Sequence, residues 1–480
     1  MCTEISQVIA REVFDSRGRP TVEVEITCRG GKTGRAIVPS GASTGRREAH
    51  ELRDGGKRLG GRGVSNAVHH VRQILGPLVI GRDAAQQFEL DRMLIAADGT
   101  PLKSRLGANA ILGVSQAAAC SAALNLGIPL VHHLHHLWIQ MHEYLEQGLS
   151  FSPARHFPHA LPRSPLATAP VAPHHKCAPC LPRPLVNMIS GGHHAGHQME
   201  LQDIMIVPLA ACSFRSALEC AAELYRALGD TLKRSGLEGT LVGDEGGYGP
   251  RTDEVDLAIE LTLKACEEVG LQPGRDVALA LDVAASHFYH EERYHLHASA
   301  PPLTREAWLN VLQRWVNNYP IVSLEDPLAE DDWLGWQLAS DTLGKHCQLV
   351  GDDLFVTQSE RLMEGIRSGI ANAILVKCNQ VGTLSESLEC LALAQRCGYC
   401  TIASARSGET EDTFLADFAV ATAAGQIKIG SVARSERLAK YNQLLRLEDS
   451  GLAIAPLPPS FYYPQETNPS LRCMRSVMPE

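Results

Sequence analysis

Seven ionisable residues recur along the second half of this chain at the same point of a repeating unit: Glu245, Asp282, Glu325, Asp352, Lys377, Arg406 and Lys428. Each ends a short apolar run. The runs are TLVGD, VALAL, PIVSL, CQLVG, AILV, YCTIASA and QI, and a helical stretch follows each. Taken singly, any one of these charges is an ordinary solvated cap. As a set at one point of the repeat, they predict a shared site. Asp282, Glu325 and Asp352 are three carboxylates expected to converge. Unpaired, they repel and raise one another's pKa. A hard divalent cation resolves this, and an all-oxygen ligand set suits magnesium. Lys377 is expected beside that cation and a second lysine, with a depressed pKa that fits a base. Arg406, Ser407 and Lys428 offer donors for carboxylate and phosphate oxygens. Glu245 lies in GDEGG, whose glycines let the backbone bend around its carboxylate. Such a set suits proton abstraction beside a metal-bound carboxylate, with an acid on the opposite side.

The elements that position these residues follow from the same pattern. Apolar strands alternating with amphipathic helices imply a parallel sheet covered by helices. Seven or more units predict a closed α/β barrel whose C-terminal strand ends face the site. Upstream, TVEVEIT alternates with period two and AIVPSGASTG ends in a Gly/Ser loop, so residues 5–60 read as β-rich. Residues 65–136 read as helical. Residues 148–184 are rich in Pro and His, hold no acidic residue and show no period, which predicts an exposed, poorly ordered insertion without core. Its His174, His175, Cys177 and Cys180 form a weak zinc pattern, with a solvated loop the stronger expectation. The expected division is an N-terminal α+β capping domain over 1–137, an insertion over 138–183, a barrel over 184–455 and a tail over 456–480.

Composition excludes some functions. A chain of 480 residues with net charge −10 and a pI near 6.1 is expected to hold two to three domains and no surface for nucleic acid or anionic membrane. The N-terminus carries charges where a secretory leader needs an apolar region. The most membrane-like stretch, residues 107–130, is interrupted by Asn, Ser and Gln, and reads as a buried amphipathic helix rather than a span. The 14 cysteines lie scattered in apolar runs, as reduced thiols of a cytoplasmic protein do.

Several long motifs carry a resemblance. AREVFDSRGRPTVEVE, VPSGASTG, LVGDEGGYGP, VSLEDPLAEDDW, LVGDDLFVT, ILVKCNQVGTLSES, SGETEDTFLADFAV and ARSERLAKYNQLLRLE make the chain similar to enolase, of bacterial type, over nearly its whole length except the insertion and tail. The resemblance implies an N-terminal α+β domain, a C-terminal enolase-type TIM-like barrel, and reversible dehydration of 2-phosphoglycerate to phosphoenolpyruvate. A lysine base beside magnesium is the general arrangement of such sites, not a deduction from this chain. Carried over position by position, Lys377 matches the base and Glu245 the acid. Asp282, Glu325 and Asp352 match the ligands of one magnesium, and Ser43 matches the loop ligand of a second. His194, Gln202, Asp203, Arg406, Ser407 and Lys428 match substrate contacts. The partner implied is a small phosphorylated hydroxy acid. A homodimer or larger homo-oligomer is also implied, with Arg17 an interface residue or an ordinary loop residue.

Two positions depart from the family pattern. Ala405 stands in ASARSGETED where enolases carry a histidine, and Asp203 stands in LQDIM where they carry glutamate. The GGHHAGHQMELQD loop is unusual as well. All three departures fall on the acid side, while the base, the metal ligands and the anion contacts match. The chain is therefore expected to be a working enolase of reduced rate. The alternative is an impaired relative with a binding or surface role, and a superfamily member acting on another acid is more remote.

Overall fold

Period-two patterning sends the chain first into three antiparallel strands, β1 (Ile5–Phe14), β2 (Pro20–Cys28) and β3 (Thr33–Ile37). The computed structural model describes residues 2–42, 45–151, 161–166, 178–296, 301–458 and 461. Ser43 and the zinc-pattern residues His174, His175 and Cys177 lie outside them. The helix Ala108–Leu126 packs on β2 and β3 and, on its other side, against the helices Leu130–Glu146 and Cys378–Val381. It is buried on nearly every side, so it is less amphipathic than expected. Gly34 permits the close approach, because a Cβ there would lie 2.1 Å from the Ser121 nitrogen. Among the described residues no single helix is long and apolar enough to cross a membrane.

The second layer is a closed barrel. Its strands are β4 (Arg183–Ser190), β5 (Asp203–Pro208) and β6 (Val277–Asp282), then, after a short hairpin β7 (Tyr289–His290) and β8 (Arg293–Tyr294), β9 (Ile321–Glu325), β10 (Gln348–Gly351), β11 (Ala373–Val376), β12 (Cys400–Ser404) and β13 (Gly425–Gly430). Eight of them close in the order β4-β5-β6-β9-β10-β11-β12-β13. The expected α/β barrel is present, with one correction: β5 runs antiparallel to both neighbours. Residues 191–202 carry only the 3-10 turn Gly192–His194, and a parallel return needs a longer crossover, usually a helix. A second correction follows. TLVGD is not a barrel strand; around it there are isolated bridges from Tyr248 to Val242 and to Ile189 of β4, so Glu245 sits in a loop.

The described flanks of the insertion also depart from expectation. Phe151 is buried, its backbone N–H and the Ser150 hydroxyl both donate to Glu389, and Arg92 lies over its ring. Ser164 donates its N–H to Cys397, and Pro165 and Leu166 rest beside Gly369 and Gly344. A segment without periodicity thus still anchors through single residues. Phe151→Ala is expected to cost about 3–5 kcal/mol, as loss of a buried aromatic does. Denaturant unfolding of that variant checks this, and a midpoint equal to wild type would contradict it.

Candidate active site

The strand ends bring the acidic residues to one rim. Asp282 closes β6 and pairs in register with Glu325, which closes β9. Asp352 follows β10 and Lys377 follows β11. Lys428 lies inside β13 rather than at its end, opposite Ser404. Because β5 is antiparallel, its first residue Asp203 reaches the same rim, opposite both Asp282 and Ser190.

These charges are neutralised within the chain. Lys428 donates to Asp282 at 2.6 Å and to both Glu325 oxygens at 2.8 and 2.7 Å. The three residues are 5%, 1% and 3% exposed, so none could stay ionised here alone. Burial opposes the Lys428 charge, but Asp282 and Glu325 outweigh it and hold its pKa well above the ordinary value. Lys377 ion-pairs with Asp352. Burial lowers its pKa most strongly of any single influence, yet Asp352 and Glu325 together raise it, and the net shift is upward. Lys377 corrects the sequence-based expectation, since it is not depressed; the carboxylates are paired with lysine, yet burial and the neighbouring Asp282 still hold Glu325 well above its ordinary pKa, as expected of close carboxylates.

Among the described residues, two groups have ligand atoms close enough to share one cation, all within 4.8 Å of one another: His194 with Asp203 and Glu245, and the all-carboxylate set Asp326, Asp352 and Asp353. Asp326 accepts the N–H groups of Asp352 at 3.0 Å and Asp353 at 2.7 Å. Asp282 and Glu325 are instead engaged by Lys428. Gln202 donates to Asp282 at 3.0 Å, while its own Oε1 is buried without a partner. The donor set is all oxygen and fits a hard divalent cation.

A hydrogen-bonded chain occupies the acid side. Ser190 donates to Asp203 Oδ1 at 2.7 Å, and His194 Nδ1 meets Asp203 Oδ2 at 2.8 Å. His194 Nε2 lies 3.8 Å from Glu245, and Asn187 donates to Glu245 at 3.0 Å. Gly246, at φ +89, makes the turn that aims Glu245 inward. Burial disfavours charge on His194, but Asp203 and Glu245 outweigh it and raise the imidazole to about 9. Complete burial pushes the Asp203 carboxyl up, against the pull of His194.

A small polar cavity gathers His194, Gln202, Glu245, Lys377, Ala405, Arg406, Ser407 and Lys428 in its wall. The Ala405 methyl is part of that wall. Asp203 is not, since both its oxygens turn to Ser190 and His194. Neither His193 nor His197 lines it; they face each other at 3.0 Å. On the anion side, Arg406 donates to Glu48 through both terminal nitrogens at 3.0 and 3.2 Å, and to Asn379 at 2.8 Å. Arg17 donates to Ser407 at 3.1 Å and to Ser40 and Gly41 of the preceding loop. It therefore acts as an internal tie between the two domains. Sequence reasoning missed Asn187, Ser190, Glu48 and Asp326. Asn187 and Ser190 had one signal, as polar interruptions in the apolar run RPLVNMIS; Glu48 had none.

Two family models match the chain: the enolase N-terminal domain over residues 5–134 and the enolase C-terminal TIM barrel domain over residues 178–455. The chain belongs to the enolase family, whose members are lyases of the enolase superfamily.

The His194–Asp203 pair has a defined pH signature. The folded pKa of His194 lies above its ordinary 6.5, so the stability contributed by its protonation is complete below about 6.5 and is lost as pH rises through about 9. Histidine-selective NMR is expected to show one imidazole titrating near 9, returning toward 6.5 in Asp203→Asn. Absence of any histidine titrating above its ordinary value would contradict the pairing.

Proposed function

We propose that this chain is a phosphopyruvate hydratase, converting 2-phospho-D-glycerate reversibly to phosphoenolpyruvate and water. The observation that carries this reading is the single cavity whose wall combines Glu245, Lys377, Arg406, Ser407 and Lys428. Lys377, from the end of β11, takes the C2 proton. Glu245, held by Asn187 of β4 three strands around the ring and kept ionised by the charged His194 beside it, takes up a proton from that imidazole and passes it to the C3 hydroxyl as the C–O bond breaks, and water leaves. Arg406, oriented by Glu48, and Ser407, tied by Arg17, present donors to the phosphate oxygens. Lys428 and Gln202 face the substrate carboxylate, and His194 bridges toward the acid. Asp282, Glu325 and Asp352, with Ser43, are the residues that would hold two magnesium ions, whose charge when bound stabilises the enolate and relieves the lysines of their carboxylates. The reading includes a small phosphorylated acid as the partner rather than nucleic acid or membrane, a homodimer or larger homo-oligomer, and a cytoplasmic setting.

A second reading is favoured by the acid side. With a methyl at Ala405 and with Asp203 drawn away from the cavity, the scaffold suits a weak catalyst or a binding protein. The two readings separate experimentally.

Loss of a general base costs two to four decades, so C2 proton exchange on 2-phosphoglycerate is expected to fall by that much in Lys377→Ala. Continued exchange in that variant would remove Lys377 as the base. A hydrogen bond to a charged group is worth roughly 1.5–3 kcal/mol, or one to two decades in rate. Wild type is therefore expected to exchange the proton faster than it forms phosphoenolpyruvate. Ala405→His should raise turnover, and adding Asp203→Glu should raise it further, non-additively because both act on one leaving group. No gain from either substitution would refute this account of the acid side. Magnesium at a hundredfold excess over its Kd adds about 2.7 kcal/mol of apparent stability. A rise in Tm is expected in wild type and not in Asp282→Asn with Asp352→Asn; an unchanged wild-type Tm would contradict a metal site.

A further inference from the structure

We propose that His193, His197 and His287 form a nitrogen-ligand site for a borderline divalent cation of the Zn2+ type, separate from the oxygen-lined barrel mouth. The three rings are in contact outside the cavity. His193 Nδ1 and His197 Nε2 face each other at 3.0 Å, with ring centroids 4.4 Å apart. The His193 and His287 centroids lie 4.3 Å apart, nearly perpendicular at 79°. The His287 Nδ1 is buried and has no hydrogen-bond partner. Two features build the cluster. His197 adopts φ +57, a left-handed backbone that a histidine rarely takes, and the loop turns on Gly192 and Gly196, also at positive φ. The turn Ala285–Phe288 brings up His287 from the opposite side.

Two facing ring nitrogens share at most one proton between them. On a tetrahedral zinc with Zn–N distances of about 2.0–2.1 Å, ligand nitrogens lie about 3.3 Å apart, so the His193–His197 pair needs to open by only a few tenths of an ångström. The third nitrogen does not yet converge with the other two. His193 and His197 are exposed, so their rings swing toward His287 without disturbing the core. Solvent supplies the fourth position. Imidazole suits zinc, nickel and copper and is a poor ligand for magnesium, so the two sites sort cations by chemistry. An ion held here ties the Gly192–His197 loop to the Ala285–Phe288 turn. His194, on that loop, lines the cavity, so the tie also restrains a cavity residue.

The test uses chelator-stripped full-length protein in excess magnesium, titrated with Zn2+ against a chromophoric chelator. One zinc equivalent is expected in wild type that magnesium does not displace. Its affinity should fall at least tenfold in His193→Ala and in His287→Ala, and stay unchanged in His132→Ala with His136→Ala, an exposed pair on the helix Leu130–Glu146. Co2+ substitution gives a second readout: tetrahedral visible absorption in wild type, lost in His193→Ala, an exposed position where folding is not at risk. Equal zinc binding in wild type and in His193→Ala, or zinc fully displaced by magnesium, would overturn the proposal.

Discussion

The ammonium of Lys428 between Asp282 and Glu325 is the interaction on which the rest of this molecule depends. Three ionisable groups lie almost fully buried at the mouth of the barrel, and burial with the neighbouring Asp282 pushes the Glu325 carboxyl well above its ordinary pKa. Desolvation costs several kcal/mol per ion and is recovered only in close, multiply hydrogen-bonded geometry. That geometry requires β13, β6 and β9 to meet around one point, which only a closed ring permits. Lys377 and Asp352 repeat the arrangement on β11 and β10. The fold therefore holds one lysine between two carboxylates and a second lysine against one at its centre, poised for exchange of partners when a cation and an anion enter.

The antiparallel strand β5 serves the same end. It presents its first residue, Asp203, at the rim where its neighbours present their last. A shorter carboxylate there is held by Ser190 and His194 rather than aimed at the cavity. With Ala405 contributing only a methyl, the acid function rests on Glu245, supported by Asn187 and faced by His194. Proton removal has its full set of groups, whereas departure of the leaving group has fewer.

Much of this was legible in the chain. Apolar runs ending in Asp282, Glu325, Asp352, Lys377 and Arg406 read directly as barrel strands, since buried parallel strands are continuous and apolar. Strand direction was not legible, because side-chain alternation is the same read either way; only the short 191–202 connection dictates it. TLVGD was misread because an apolar run in a loop that folds onto β4 looks like a strand. The upward shift of Lys377 was hidden as well. Its pKa depends on a partner across a strand, and spacing along the chain does not encode which residue that is. Phe151 illustrates the converse: one aromatic anchors a segment that has no periodicity to announce it. Ser43, matched to a metal-binding role, lies outside the described residues.

The central claim is that these paired charges form a magnesium-dependent dehydratase. It is tested most directly by following phosphoenolpyruvate formation from 2-phosphoglycerate by chelator-stripped wild-type protein, before and after magnesium is added. The account predicts no formation before, and sustained formation after, at a rate that saturates with the cation. Magnesium that raises the melting temperature while phosphoenolpyruvate stays absent would contradict it, leaving a metal-binding scaffold without the reaction.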